Sequence, residues 1–257
     1  KMVAIYSGSK RYFYNQNLNW MSTNVQKIAA LHQYLSQDFL GGPRLIKLST
    51  VINFQKGSTF LFVIWLMWIY DNYTTTAWVY AGLHGSYGLC WLIKHYHFPD
   101  RRWEVPVTIG GALLSFVLVL GLYWLIPWIL ISPIFHGPNI GWPPYYLALC
   151  ITLHTLGVAI MMASDAQKYY TLKYKSGLIM EGFFNRTRNP NYLGEMMIYG
   201  SYGLMAWHWL AGLILAWVWL GLFAVNIILK DESLSKKEGW EMYKKRSGIL
   251  LPKLFRH

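Results

Sequence analysis

The segment RTRNPNYLGE, residues 186–195, is a polar and basic stretch that enters a hydrophobic run continuing almost unbroken to Leu229. Pro190 suits the first turn of a helix, because its missing N–H would have no intrahelical acceptor there. Asn189, directly before it, is a residue type that caps free backbone N–H groups. The segment therefore predicts a helix that begins at this point.

Charge collects at this predicted helix start. Arg186 and Arg188 lie just upstream of a helix N-terminus, whose free N–H groups carry partial positive charge and attract anions. Past the start, Tyr192, Glu195 and Tyr199 recur at helical spacing and share one face. The segment thus predicts an anion site from which a polar stripe runs into an apolar helix.

The composition is typical of an integral membrane protein. Of 257 residues, 54% are hydrophobic and 13% are charged, the mean hydropathy is positive, and there are 14 Trp and 19 Tyr. The net charge of +12 does not indicate nucleic acid, since the basic residues flank the apolar runs and form no basic surface of their own. Cys90 and Cys150 lie in apolar runs without metal-ligand spacing, so neither a disulfide nor a metal site is predicted.

The apolar runs predict an all-α integral membrane protein with about six transmembrane helices and a C-terminal amphipathic tail. Residues 1–56 are interpreted as a basic extramembrane arm and 57–257 as one polytopic domain, with the polar residues of 165–257 forming its cofactor region. The expected spans are 57–70 (or from 48), 77–93, 105–131, 145–163, and two antiparallel spans within 192–229 that turn near 207–209.

The distribution of basic residues supports this scheme. All 23 Lys and Arg residues fall before the first span, between the second and third, between the fourth and fifth, or after the sixth. The positive-inside rule therefore places both termini and the 186–195 segment on one side, either cytosolic at the endoplasmic reticulum or in the matrix at the mitochondrial inner membrane. Among targeting signals, a first residue of Lys1 favours a cleaved presequence.

Three segments on that side could hold a large anionic cofactor. Asp165 and Lys168 end the fourth span, the 186–195 segment follows, and the tail adds more polar groups, namely Tyr243, Arg246 and Ser247. A phosphorylated dinucleotide would use such cations and donors, although the sequence has neither a Rossmann fingerprint nor a P-loop. Two plainer alternatives remain: Glu195 pairs with a nearby Arg at the interface, and the tail is only solvated.

Tyr80, His84 and Tyr87 form a second group in the predicted second span. Their i, i+4, i+7 spacing puts them on one helix face, where they could donate protons to a lipid substrate. Aromatic packing against neighbouring helices explains the same pattern, since Trp91 continues that face.

The order of these segments carries a family likeness. The 186–195 segment, preceded by DAQK at 165–168 and followed by two spans and YKKRSGILLP at 243–252, resembles the C-terminal domain of steroid 5-alpha-reductase-like membrane proteins. LHGSYG at 83–88 with FPDR at 98–101 is similar to the N-terminal half of an uncharacterised branch of that superfamily. The resemblance implies an NADPH pocket that opens to the cytosolic side, a lipid cavity, and hydride transfer to the C=C bond of an enone.

The resemblance also implies roles for individual residues. Asp165, Asn191 and Glu195 match cofactor-contacting positions, and Tyr192 is the aromatic residue between them. Arg188, with Arg186 beside it, would hold phosphate, and Lys168 aligns with a family arginine. Tyr243, Arg246 and Ser247 would belong to the tail that closes over the nucleotide. The Glu and Tyr pair on the substrate side of the reductases has no counterpart in the first half of this chain.

Two other functions remain open. Isoprenylcysteine and phospholipid methyltransferases of the same superfamily share an RHPxYxG motif, which would make S-adenosylmethionine the cofactor. Here Asn189 replaces the His, and Glu195 after Gly194 favours the reductases. The third function is a non-catalytic structural or lipid- and nucleotide-binding subunit of a larger membrane complex. The expected partners are membrane lipids and a hydrophobic, lipid-like substrate.

Overall fold

The computed structural model describes residues 23–136 and 141–253 and is mostly helical, with 75% helix and 4% strand. Residues 1–22, which are most of the predicted basic arm, lie outside the described residues. The described helices are α1 (Thr23–Gln33), α2 (Leu48–Ile69), α3 (Thr75–His97), α4 (Ile109–Ile131), α5 (Pro133–His136), α6 (Pro144–Tyr174), α7 (Pro190–Ala206), α8 (Trp209–Leu234) and α9 (Trp240–Arg246). Short π-helical segments lie within α4 at Phe116–Leu120 and within α8 at Trp219–Ala224.

A small sheet modifies the all-α expectation. Strand β1 (Arg44–Lys47) pairs antiparallel with β2 (Pro106–Thr108), directly before α2 and α4 respectively. Pairing the two strands satisfies backbone groups that would otherwise lack partners where the chain enters these helices.

Helix α2 begins at the earlier of the two starts expected for the first span. It starts at Leu48, so the expected boundary between arm and domain at residue 56 falls inside a helix. Ser49, Gln55 and Lys56 are all buried within the bundle. A search for apolar runs misses this first part of the helix, because its polar side chains face the protein interior.

The start of α7 agrees with the sequence, but its cap does not. The helix begins at Pro190 as predicted, and the Asn189 side chain makes no capping hydrogen bond. Its Nδ2 instead donates to the Ile249 carbonyl at 2.8 Å, and its Oδ1 accepts from Lys230 Nζ at 3.0 Å. Contacts with the tail and with α8 thus take the place of the local cap.

The turn between the last two long helices is where the sequence places it. Helix α7 ends at Ala206, and Trp207 adopts a left-handed conformation with φ of 39°. His208 Nδ1 accepts from the Leu210 N–H at 3.2 Å and caps α8. The two helices therefore form a tight antiparallel hairpin.

Three of the described helices, α4, α6 and α8, are long and apolar enough to cross a membrane. Large aromatic residues are exposed at the ends of the helices opposite the 186–195 segment, as in the interfacial belts of membrane proteins. They include Trp68, Tyr73, Trp78, Tyr145, Trp207 and Trp209. Together, these features indicate a membrane protein.

Helices α6 and α7 touch backbone to backbone. A Cβ atom on Gly194 would lie 2.6 Å from the Gly157 carbonyl oxygen, and one on Gly157 would lie 2.7 Å from the Gly194 carbonyl oxygen. Gly110 and Gly111 make another close approach, to the chain after α1, at the carbonyl oxygens of Phe39 and Ser36. The Gly157–Gly194 contact is therefore the one that sets the position of the 186–195 segment.

We predict that Gly194→Ala destabilises the protein. The added methyl group would overlap backbone atoms of α6 that cannot move aside, and overpacking of this kind costs about 1–3 kcal/mol. The midpoint of thermal unfolding in detergent should fall by several degrees. Gly212→Ala is the control, because a Cβ at Gly212 would meet nothing within 4 Å. Equal midpoints for the two variants would contradict the prediction.

Candidate functional site

Arg188 holds the end of α8 and the tail together. Its Nε and Nη2 atoms donate to the Asp231 carboxylate at 3.1 and 2.9 Å, and Nη1 donates to the Ser247 carbonyl oxygen at 2.7 Å. The Arg188 side chain is only 4% exposed. Because the guanidinium is already engaged along its whole edge, its predicted role as a phosphate ligand would require these contacts to break.

The tail is fastened to the backbone of the 186–195 segment. Thr187 and Gly248 form a parallel β-bridge, with the Arg188 N–H donating to the Gly248 carbonyl at 2.9 Å. The Gly248 N–H donates to the Arg186 carbonyl at 2.9 Å, and Arg186 Nη1 donates to the Lys253 carbonyl at 3.2 Å. We refer to the contacts of residues 180–189 with 230–231 and 243–253 as the tail clasp.

Tyr243, Arg246 and Ser247 also belong to this clasp. The Tyr243 hydroxyl donates to the Phe184 carbonyl at 2.9 Å, and Ser247 Oγ donates to the Tyr243 carbonyl at 2.5 Å. Arg246 donates to the Met180 carbonyl. Burial raises the pKa of Tyr243 to about 12, so its hydroxyl remains a donor at neutral pH. These residues hold the loop before α7, and their predicted contact with a nucleotide remains a prediction.

A charged cluster lies on the interior side of the clasp. Lys94 Nζ is 2.5 Å from Asp165 Oδ2, with both side chains 5% exposed or less. Lys168 Nζ is 2.8 Å from Asp100 Oδ2 and 3.7 Å from Asp165 Oδ1. Burial opposes ionisation of Asp100, but Arg102 and Lys168 outweigh it and hold the pKa of that carboxyl well below its usual range. The cluster joins the C-terminal ends of α3 and α6 to the loop after α3.

Glu195 faces this cluster and not the clasp. Its carboxylate interacts electrostatically with Lys94, Lys56, Asp165 and Arg102. Of the two partners considered for Glu195 at the interface, Arg186 and Arg188, the second is excluded because Arg188 binds Asp231. The Glu195 side chain is half-buried. It is therefore a carboxylate with accessible surface among buried charges.

Two of the buried acceptor atoms at this end of the bundle that lack hydrogen bonds belong to predicted site residues. Asn191 Oδ1 and Asp165 Oδ1 are both buried without a hydrogen-bond donor among the described residues. Tyr192, 4% exposed, packs against Phe223 at 5.0 Å between ring centroids and interacts with Arg102. Buried polar atoms usually have partners, so Asn191 and Asp165 are the strongest candidates for contact with a ligand.

Lys56 sits deeper, in a cage of aromatic rings. Its Nζ donates to the hydroxyls of Tyr87, at 3.1 Å, and Tyr199. Nζ lies 4.4 Å from the centroid of the Tyr87 ring, 4.7 Å from that of Tyr199 and 5.7 Å from that of Tyr123. Close packing of α2 on α3 makes this possible, since a Cβ on Gly88 would lie 2.3 Å from the Lys56 carbonyl oxygen. We call this group the lysine cage.

The structure divides the predicted group of Tyr80, His84 and Tyr87. Tyr87 belongs to the lysine cage, while His84 Nδ1 lies 3.1 Å from the Tyr80 hydroxyl and its ring stacks on Tyr202 at 4.3 Å. Tyr202 in turn bonds His154 Nε2 at 3.0 Å. Tyr80 and His84 thus form the aromatic packing that was the plainer interpretation of their spacing.

Several site residues were missed by the sequence interpretation. Lys56 was assigned to the extramembrane arm, although a lysine inside a hydrophobic helix is a signal of function. Lys94 enters the sequence analysis only as one of the basic residues between the second and third spans. Asp100, Arg102, Lys230 and Asp231 lie near helix ends, where no local pattern separates a partnered charge from a solvated one.

Comparison with known families assigns the chain to one of them. A family model described as a protein of unknown function, DUF1295, matches residues 41–247. The chain belongs to the DUF1295 family. DUF1295 is a membrane family of the steroid 5-alpha-reductase-like superfamily, so the predicted superfamily is confirmed at that level.

Relatives of this DUF1295 chain add little about activity. Uncharacterized protein C7D4.09c of Schizosaccharomyces pombe is 37% identical over 49 residues, which cover 19% of this chain and 18% of that protein. The chain thus spans less than a fifth of that relative. No solved structure matches the chain.

The tail clasp should weaken at alkaline pH because of Tyr243. Its folded pKa of about 12 exceeds the usual value of about 10. Its stabilising contribution is therefore complete below pH 10 and is lost as the pH rises through 12. Thermal unfolding of wild type and Tyr243→Phe should differ most below pH 10 and converge towards pH 12. Tyr170→Phe, at an exposed position, is the control. A difference that stays constant up to pH 12 would exclude this role.

Proposed function

We propose that this DUF1295 chain is a membrane-embedded, NADPH-dependent reductase of the activated C=C bond of a lipid-like enone. One observation carries the proposal: on α7, Glu195 lies one turn after Asn191, whose buried Oδ1 lacks a hydrogen bond, and one turn before Tyr199, which accepts from Lys56 in the lysine cage. Glu195 therefore lies between a polar region that could hold a cofactor and the buried proton donors of the lysine cage. A reductase needs both in one place.

The charged cluster fits parts of NADPH. The nicotinamide carboxamide offers two N–H donors, and Asn191 Oδ1 and Asp165 Oδ1 are buried acceptors without a hydrogen bond. Arg102, whose side chain is 46% exposed, could meet a phosphate. Arg188 would position the loop and the tail and would not bind the phosphate itself. When bound, NADPH supplies the hydride.

The lysine cage favours reduction over methyl transfer. Lys56, Tyr87 and Tyr199 are buried proton donors, and reduction of an enone needs a proton as well as a hydride. A methyl transfer to a thiolate, carboxylate or amine requires no buried donor. The burial of the cage excludes water, which strengthens hydrogen bonds formed inside it.

S-adenosylmethionine is the second candidate cofactor, and one observation favours it. Asp231 occupies Arg188, which leaves fewer cations for the phosphates of NADPH. The carboxylates of Asp165 and Glu195 would suit a positively charged sulfonium. Binding measurements separate the two cofactors.

We predict that detergent-solubilised protein binds NADPH and that Asn191→Leu weakens this binding about fivefold, since one buried hydrogen bond is worth about 1 kcal/mol. Calorimetric titration with NADPH and, in parallel, with S-adenosylmethionine would test it. Asn185→Leu is the matched control, because Asn185 is exposed on the loop before α7. Binding of S-adenosylmethionine without NADPH would move the assignment to methyl transfer.

We further propose that α2, α3 and α7 also cross the membrane, which gives six spans with both termini on the side of the tail clasp. The grouping of all 23 basic residues supports this orientation. The membrane would be that of the endoplasmic reticulum or the inner mitochondrial membrane, with this side cytosolic or in the matrix.

Cysteine labelling tests the six-span arrangement. With Cys90 and Cys150 replaced by Ser, Lys244→Cys and Asp71→Cys should react with an impermeant maleimide from opposite sides of sealed vesicles. Asp71 follows the end of α2 and Lys244 lies in α9. Reaction of both positions from one side would rule out the proposed orientation.

A further inference from the structure

One of the three N–H groups of the Lys56 ammonium makes no hydrogen bond to the described residues. Its side chain is 5% exposed, and two of its N–H groups donate to Tyr87 and Tyr199. The third N–H has no acceptor among the described residues. Neighbouring rings supply cation–π contacts, including Trp91 at 5.2 Å, but no lone pair for this last donor.

This charge also lacks an ion-pair partner. No carboxylate of residues 23–136 and 141–253 lies within 4.0 Å of Lys56 Nζ, whereas the comparably buried Lys94 has Asp165 at 2.5 Å. Glu195 attracts the ammonium from a greater distance, and Lys94 repels it. Burial of an ammonium without a close counter-ion costs stability. A residue that pays this cost inside an apolar bundle is a candidate for function.

Further polar atoms around the cage are unpaired. The Tyr123 hydroxyl is buried without a hydrogen bond, and its ring stacks on Tyr199 at 3.7 Å. His84 Nε2 is also buried without a partner, with its ring 6.3 Å from Tyr199. The titratable groups facing Lys56 are thus Glu195 and Tyr199 from α7, Lys94, Tyr87 and His84 from α3, and Tyr123 from α4.

We propose that the lysine cage is a binding site for the carbonyl oxygen of an apolar ligand. A carbonyl oxygen has two lone pairs and no donor, so it can accept from the third Lys56 N–H and from the Tyr123 hydroxyl. A hydrocarbon would leave both donors unpaired. The apolar remainder of the ligand would lie among the rings and apolar side chains of the bundle.

The site would act on the ligand in a defined way, and this step rests on the proposed reductase function. As hydride adds to the β-carbon of an enone, negative charge collects on the carbonyl oxygen, and the ammonium stabilises it. The Lys56 N–H bond breaks and an O–H bond forms, which gives the enol and neutral Lys56. The enol returns to the saturated ketone, and Lys56 takes up a proton, so one proton is consumed for each hydride transferred.

Infrared spectroscopy tests the oxygen site without cofactor or turnover. The probe is a long-chain alkyl enone with a ¹³C-labelled carbonyl, bound to detergent-solubilised protein. In wild type, the carbonyl stretch should shift to lower wavenumber than in empty micelles, because the bond is polarised by a charged donor. Lys56→Met should abolish the shift. Lys173→Met, at an exposed lysine of α6, should leave it unchanged.

A second variant and a stability measurement separate this role from a structural one. Lys56→Gln can still bond the two tyrosines but has no ammonium, and it should lose most of the shift. Removing the unpaired charge should raise the unfolding midpoint of Lys56→Met by about 2 °C or more. A lower midpoint together with an unchanged shift would make Lys56 a structural link between helices.

The outcomes also separate this inference from the proposed function. An unshifted band, no binding of the enone, or a shift that persists in Lys56→Met would overturn the oxygen site. A shifted band in a protein that does not bind NADPH would remove the reductase and keep the oxygen site.

Discussion

The contact between Gly157 and Gly194 is the constraint on which the rest of the site depends. With no side chain between them, α6 and α7 approach until backbone meets backbone. Asp165 lies two turns beyond Gly157, and Glu195 directly follows Gly194, so the approach brings two carboxylates to one end of the bundle. Any larger residue would separate the helices and spread these charges apart.

The two buried lysines, Lys94 and Lys56, have different kinds of partner. Lys94 and Asp165 form a close ion pair, which offsets much of the cost of removing both from water. Lys56 has hydrogen bonds and aromatic rings, but no carboxylate of the described residues lies within 4.0 Å of its Nζ. The first arrangement is what stability alone would select, whereas the second costs stability. This contrast within one bundle is why we propose a functional role for Lys56 and a structural one for the Lys94–Asp165 pair.

The 186–195 segment contacts two different parts of the protein. Its basic part, with Arg186 and Arg188, fixes the tail and the end of α8 through the clasp. Its later part holds Asn191, whose Oδ1 is buried without a hydrogen bond, and Glu195, which interacts with Lys94 and Asp165 of the charged cluster. Not every polar residue of this motif needs to contact a ligand, because some of them must hold the loop in place. The clasp is that support.

The sequence by itself determined the membrane class, the helix start at Pro190, the turn at Trp207 and the superfamily. These features depend on local properties: the length of apolar runs, the fixed φ of proline and the order of short motifs. Only the tertiary structure decided which charges meet. Arg188 pairs with Asp231 across 43 residues and Lys56 with Tyr199 across 143. Such partners are chosen by the distance and rotation of packed helices, and those are set by contacts that no single segment contains.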